Sequence, residues 1–151
     1  GYGGSDDPSA EYNVRADAES AKKVLQAPWS VTITPLDTCG IVQLTGKDYK
    51  KVLNSKDPLA KAVIESYRVW YQNHRNPGKQ FDPALNSTIL YDTVAIHLAQ
   101  SEKYLKMENL PIKVTSEGRT IIDQTGKQMS VATEWKDLKT FEKSLAKQIA
   151  D

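Results

Sequence analysis

Cysteine occurs once in these 151 residues, at Cys39, which excludes an intrachain disulfide and any multi-cysteine metal site. Histidine is nearly as scarce. His74 and His97 are the only two, and neither has a second histidine at ligand spacing, so both read as structural or surface residues. An excess of charge of one sign is missing too. Twenty Lys and Arg stand against nineteen Asp and Glu, a net charge of +1, which offers no electrostatic footprint for nucleic acid or for an anionic membrane. No apolar run approaches the roughly 20 residues of a membrane-spanning helix. Internal repeats and low-complexity tracts are absent, and no linker divides the chain into two domains. What is present is ordinary for a globular domain with one core, 39% hydrophobic and 26% charged.

The chain opens on a glycine-rich loop, Gly1-Tyr2-Gly3-Gly4-Ser5-Asp6-Asp7-Pro8, that leads straight into Ser9-Ala10-Glu11-Tyr12-Asn13. Such a loop normally rests on a scaffold that precedes it, so the sequence reads as the later part of something larger. Val14 to Ala16 is expected to be extended. Asp17 is a good N-cap for a helix over Ala18 to Gln26, whose buried stripe would be Ala18, Ala21 and Leu25 and which Pro28 stops. Ser30 to Thr34 alternates with β-branched residues and ends at Pro35, the pattern of a strand. Helix, loop and strand in this order indicate an α/β protein.

Thr45 can cap a helix over Lys47 to Leu53. Asp57-Pro58 is an N-cap followed by proline at the first helical position, and it starts a helix running to Asn73 with Leu59, Val63, Tyr67 and Trp70 on one face. Lys79 to Ser87 is irregular. Asp92 precedes a short apolar helix over Thr93 to Ala99. Leu110 to Ser116 and Thr120 to Asp123 make a hairpin around Glu117-Gly118, and Thr125-Gly126 turns into a further strand over Gln128 to Thr133. Leu138, Phe141, Leu145 and Ile149 mark a closing amphipathic helix.

Few residues invite chemistry. On an extended segment Glu11 and Asn13 point to one side, and a carboxylate beside an amide suits a polyhydroxyl ligand such as a sugar. The bland reading of the pair is a solvated loop. Asp92 is fully explained as a helix cap, and the sharper reading makes it a metal or substrate ligand held at a helix start. Cys39 has no neighbouring base in sequence and reads as a packed thiol. Trp29, Trp70, Trp135 and most of the tyrosines read as core.

Taken in order, these segments resemble the inosine-uridine-preferring nucleoside hydrolase family. Pro8-Ser9-Ala10-Glu11-Tyr12-Asn13-Val14 is similar to its "PAAEFNI" segment, and Asp17 to Val24 to its "DPEAAKIV" helix. Pro35-Leu36-Asp37 matches "PLD", Leu90 to Ala95 sits where the family has "HDP" or "HDA" before an apolar helix, and Ile112 to Asp123 is similar to its hairpin region. The resemblance covers nearly the whole chain and corresponds to the C-terminal half of a single nucleoside hydrolase-like domain.

The resemblance implies the later part of an open, mostly parallel, Rossmann-like α/β sheet with flanking helices and a C-terminal hairpin plus helix. It implies cleavage of the N-glycosidic bond of a ribonucleoside to free base and ribose, with Ca2+ as cofactor. It assigns Glu11 and Asn13 to ribose hydroxyls, Asp92 to the calcium ion, and Tyr91 to the position of the histidine that protonates the leaving base. Ser5 takes the place of a ribose-binding asparagine. The family's N-terminal aspartate cluster is not in this sequence. The site is therefore expected to be completed by a missing N-terminal segment or second chain, and this chain alone is expected to be inactive. A homo-oligomer is also implied, with no nucleic acid and no membrane among the partners. A non-catalytic sugar- or nucleoside-binding relative is the alternative, and an α/β interaction module with purely structural polar residues is a third reading.

Overall fold

The computed structural model describes residues 9–73 and 82–151. Their elements run α1 (Tyr12–Ala16), α2 (Ala18–Gln26), β1 (Thr32–Ile33), α3 (Leu36–Cys39), α4 (Gly46–Leu53), α5 (Pro58–Asn73), α6 (Tyr91–Leu98), β2 (Leu105–Val114), β3 (Thr120–Ile122), β4 (Lys127–Trp135) and α7 (Leu138–Ala150). The class is α/β, as the order of sequence patterns indicates. The described residues fall into two compact units. One takes in the described residues up to Gly40 together with Tyr91–Lys136, and the other Ile41–Leu90 together with Asp137–Asp151, less the undescribed segment.

The first unit is built on a four-stranded sheet in the order β1-β4-β2-β3. β1 pairs with β4 in parallel, whereas β2 is antiparallel to both β3 and β4. β4 is paired on both sides, and Val131 and Ala132 on it are wholly buried. Ile112, Met129 and Val131 form the core of this unit, with Leu25, Val31, Ile33 and Leu110 packed against it. Pro111 lies within the central strand β2, an unusual place for a residue without a backbone donor. Its carbonyl accepts the Asp123 N–H at 2.9 Å, at the end of the β2–β3 ladder, so the absent donor falls where the pairing stops.

Helix α2 has the predicted bounds and stripe: the Asp17 carboxylate accepts the Ser20 N–H at 3.0 Å, and Ala18, Ala21 and Leu25 are its half-buried positions. Its C-terminal end is tied to the sheet by Lys127, whose ammonium donates to the carbonyls of Ala27 and Trp29. We expect Lys127→Met to lower stability by about 1 kcal/mol, the scale of a partly solvated charged hydrogen bond. A urea melt checks this, and an unchanged midpoint would mean that water replaces the ammonium without loss.

The second unit is helical. Leu44, Tyr49, Val52, Ala60, Ile64 and Ala146 form its core, joining α4, α5 and α7. Asp57 caps α5 as expected, accepting the Leu59 N–H at 2.8 Å. The Tyr49 hydroxyl donates to the Pro83 carbonyl at 2.8 Å, and burial pushes its pKa up to about 12.

Several expectations need correction. Residues Tyr12–Ala16 are helical rather than extended, because the Arg15 N–H closes a turn onto the Glu11 carbonyl at 2.9 Å. β1 keeps only two residues of the five expected, and β2 begins five residues earlier than its pattern suggested. On α5 the buried positions are Ala60 and Ile64, while Leu59 and Trp70 are exposed. Trp29 is also exposed rather than core. His74 lies outside the described residues.

Candidate functional site

Glu11, Asn13, Tyr91 and Asp92 are brought together. They line one cavity of about 530 Å³ in the first unit, with Tyr12, Thr34, Leu36, Cys39 and Ala95. The geometry differs from the one expected of an extended strand. Glu11 has extended backbone at the N-cap of α1, and Asn13 stands in the helix itself. The two still share a cavity because Glu11 is the N-cap of α1 and the side chains of a helix tilt toward its N-terminus. Ser5 lies outside the described residues.

The cavity is also lined by α6, which begins at Tyr91 and carries Asp92 in its first turn. A carboxylate there is favoured by the helix dipole. The dipole holds the carboxylate in place but does not exhaust its capacity, since a carboxylate accepts about four hydrogen bonds or metal contacts.

α3 lines the cavity through Leu36 and Cys39. It is fixed to β4 by two bonds: the buried Thr38 hydroxyl donates to the Ala132 carbonyl at 2.7 Å, and the Trp135 indole N–H donates to the Thr38 carbonyl at 2.9 Å. The Leu36 N–H, at the first turn of α3, donates to Glu11 Oε1 at 2.9 Å. Glu11 therefore joins α1 to α3 as well as facing the cavity. Neither Thr38 nor Trp135 stood out in the sequence, since their role depends on contacts with residues about a hundred positions away.

Cys39 is the packed thiol expected, 7% exposed. Burial pushes its pKa up, the Glu11 carboxylate adds to the rise, the nearby Thr34 hydroxyl opposes it, and Asp92 contributes a smaller rise. The thiol thus senses both carboxylates, which line the same cavity.

Among the described residues no three His, Cys, Asp or Glu side chains stand together as a metal cluster. Calcium takes six to eight oxygens. Asp92 and Glu11, the latter already holding the Leu36 N–H, do not make such a set, so the described residues do not fit a calcium ion by themselves. The aromatic side chains around the cavity are not core. Tyr12 is 76% exposed and Tyr91 45% exposed. No described helix is long and apolar enough to cross a membrane.

The model of the inosine-uridine preferring nucleoside hydrolase family matches residues 1–143, and the chain belongs to that family. Among solved structures it is similar to an inosine-uridine preferring nucleoside hydrolase from Bacillus anthracis, with a TM-score of 0.61 and 17% identity over 92% of this chain and 43% of that one. It is also similar to a purine-preferring ribonucleoside hydrolase from Gardnerella vaginalis, with a TM-score of 0.59 and 24% identity over 92% of this chain and 48% of that one. At these identities the likeness is one of fold. The chain spans less than half the length of either structure. No curated protein matches it.

Proposed function

We propose that this chain supplies one wall of the site of a ribonucleoside hydrolase that cleaves the N-glycosidic bond to free base and ribose. The observation that carries the reading is the cavity that Glu11 and Asn13, at the start of α1, line together with Tyr91 and Asp92 of α6, within a chain whose family match runs over residues 1–143. Glu11 and Asn13 would take ribose hydroxyls, the carboxylate as acceptor and the amide as both donor and acceptor. Contacts of this kind help catalysis to the extent that they strengthen as the ribose flattens toward an oxocarbenium-like transition state. Tyr91, exposed at the rim, would offer its hydroxyl to the leaving base. With an ordinary phenol pKa near 10, it donates a hydrogen bond at neutral pH more readily than it transfers a proton.

Asp92 would be this chain's ligand to a calcium ion whose remaining oxygens come from a further, aspartate-rich segment, in the same chain or another. The two related structures, each more than twice as long as the matched part, are consistent with a further segment; its aspartates rest on the family resemblance. The test is to combine this chain with that segment and calcium, supply inosine or uridine, and measure free base and ribose. Release that needs both parts is expected. Binding without release would replace the reading with a non-catalytic nucleoside-binding relative, and neither binding nor release would overturn it.

A further inference from the structure

Helix α1 and its N-cap Glu11 carry three of the cavity's residues, yet the helix has little of its own to hold it. It is five residues long, none of them buried, and its N-cap makes no side-chain cap hydrogen bond. An isolated helix of this length does not persist in water. Its leading end is held by the bond from Leu36 to Glu11. Its trailing end rests on the turn between β2 and β3. That turn is closed by the Gly118 N–H on the Thr115 carbonyl at 3.1 Å, the Thr115 N–H on the Arg119 carbonyl at 2.9 Å, and the Arg119 N–H on the Thr115 hydroxyl at 3.2 Å. Gly118 itself is buried, with φ +79°, a conformation that favours glycine. A Cβ at this position would stand 2.6 Å from the Arg15 Cα, 2.9 Å from the Arg15 N and 3.1 Å from the Val14 carbonyl carbon. The backbone of α1 lies directly on the face of Gly118.

From this contact we infer that Gly118 is a positioning residue: the β2–β3 turn is a backbone buttress that sets how far α1 reaches into the cavity, and so where Glu11 and Asn13 stand. The clashing atoms are all backbone, so no side-chain rotation relieves them. A methyl group at 118 has to move α1 or the turn. The turn is tied to the sheet through the β2–β3 ladder, whereas α1 is tied to it through Leu36. α1 is the part that gives way. That Glu11 and Asn13 hold a ribose rests on the function proposed above; the buttress does not.

The test uses this chain with Gly118→Ala, and with Gly46→Ala as its control. Gly46 also has a positive φ, +54°, but an added Cβ there meets nothing within 4 Å. The control therefore carries backbone strain without the collision. Two readouts report on α1. One is hydrogen exchange at the Leu36 amide, whose acceptor is Glu11. The other is the pH profile of alkylation at Cys39, the sole thiol, whose pKa the nearby Glu11 carboxylate helps to raise. In Gly118→Ala we expect Leu36 to exchange about tenfold faster, the rate equivalent of ordinary backbone strain, and the alkylation profile to shift to lower pH. Sheet amides such as Ser130 should keep their protection, and Gly46→Ala should leave both readouts unchanged. Leu36 and Cys39 unchanged in Gly118→Ala would overturn the inference. So would Leu36, Cys39 and the sheet amides all loosening together, because Gly118 would then hold the whole unit rather than α1. A combined protein that neither binds nor cleaves inosine with calcium present would sink the nucleoside reading and leave these results standing.

Discussion

Asp92→Ala, in protein combined with the proposed aspartate-rich segment, should lose about a thousandfold or more in release of base from inosine while remaining folded. Two magnitudes separate the roles. As a residue in the first turn of α6, Asp92 contributes about 0.3–1 kcal/mol through the helix dipole. As a contributor to a metal site acting on the bond to be cleaved, its loss removes several kcal/mol of transition-state stabilisation, and each 1.36 kcal/mol is tenfold in rate. Asp92→Asn sharpens the comparison by keeping a polar side chain of the same size at the helix start and removing the charge. Turnover should fall nearly as far as in Asp92→Ala, with a melting curve close to that of the wild type. If turnover in Asp92→Ala stays within a few fold of the wild type, Asp92 serves α6 alone.

Glu11 gives the second large effect, and two substitutions divide its work. Glu11→Ala removes the acceptor of the Leu36 N–H and any contact to a ligand hydroxyl. The expected loss of nucleoside affinity is about 10- to 100-fold, the range of a hydrogen bond to a charged group. Glu11→Gln keeps an oxygen for Leu36 and loses only the charge. It should retain the wild-type exchange rate at Leu36 and lose about tenfold in affinity, the lower end of the same range. Calorimetric titration measures the affinity. Wild-type affinity in Glu11→Gln, with loss only in Glu11→Ala, would show that Glu11 acts by holding α3 and does not meet the ligand as a carboxylate.

The parts of this structure governed by local rules were legible in the sequence. Asp17 and Asp57 cap the helices they were expected to cap, and the turn at Glu117-Gly118 forms the β2–β3 hairpin. The parts governed by distant partners were not. Residues Tyr12–Ala16 look extended because their side chains carry no helical stripe, and α1 has no buried residue to produce one. Its position comes from Leu36 and Gly118, neither close in sequence. Trp29 looked like core because a tryptophan usually is, yet it lies exposed beside the carbonyls that Lys127 binds. On α5 the small Ala60 makes the close approach, and the larger Leu59 and Trp70 stay outside.

The candidate site shows the same division. Glu11, Asn13, Tyr91 and Asp92 were named from order and resemblance, and all four line one cavity. The residues that set the walls, Thr38, Trp135 and Gly118, carry no chemical signature. They act on backbone atoms of distant segments, the carbonyls of Ala132 and Thr38 and the backbone of Val14 and Arg15, and such contacts leave little trace in a sequence read one residue at a time.

The central claim is that a ribonucleoside is held between α1 and α6. Amide NMR during titration of inosine into the combined protein, with calcium present, tests it most directly. The account predicts saturable shifts confined to Tyr12, Asn13, Leu36, Tyr91, Asp92 and the Asn13 side-chain amide, with the β2–β3 ladder unmoved. Saturable shifts elsewhere, with these residues silent, would contradict it.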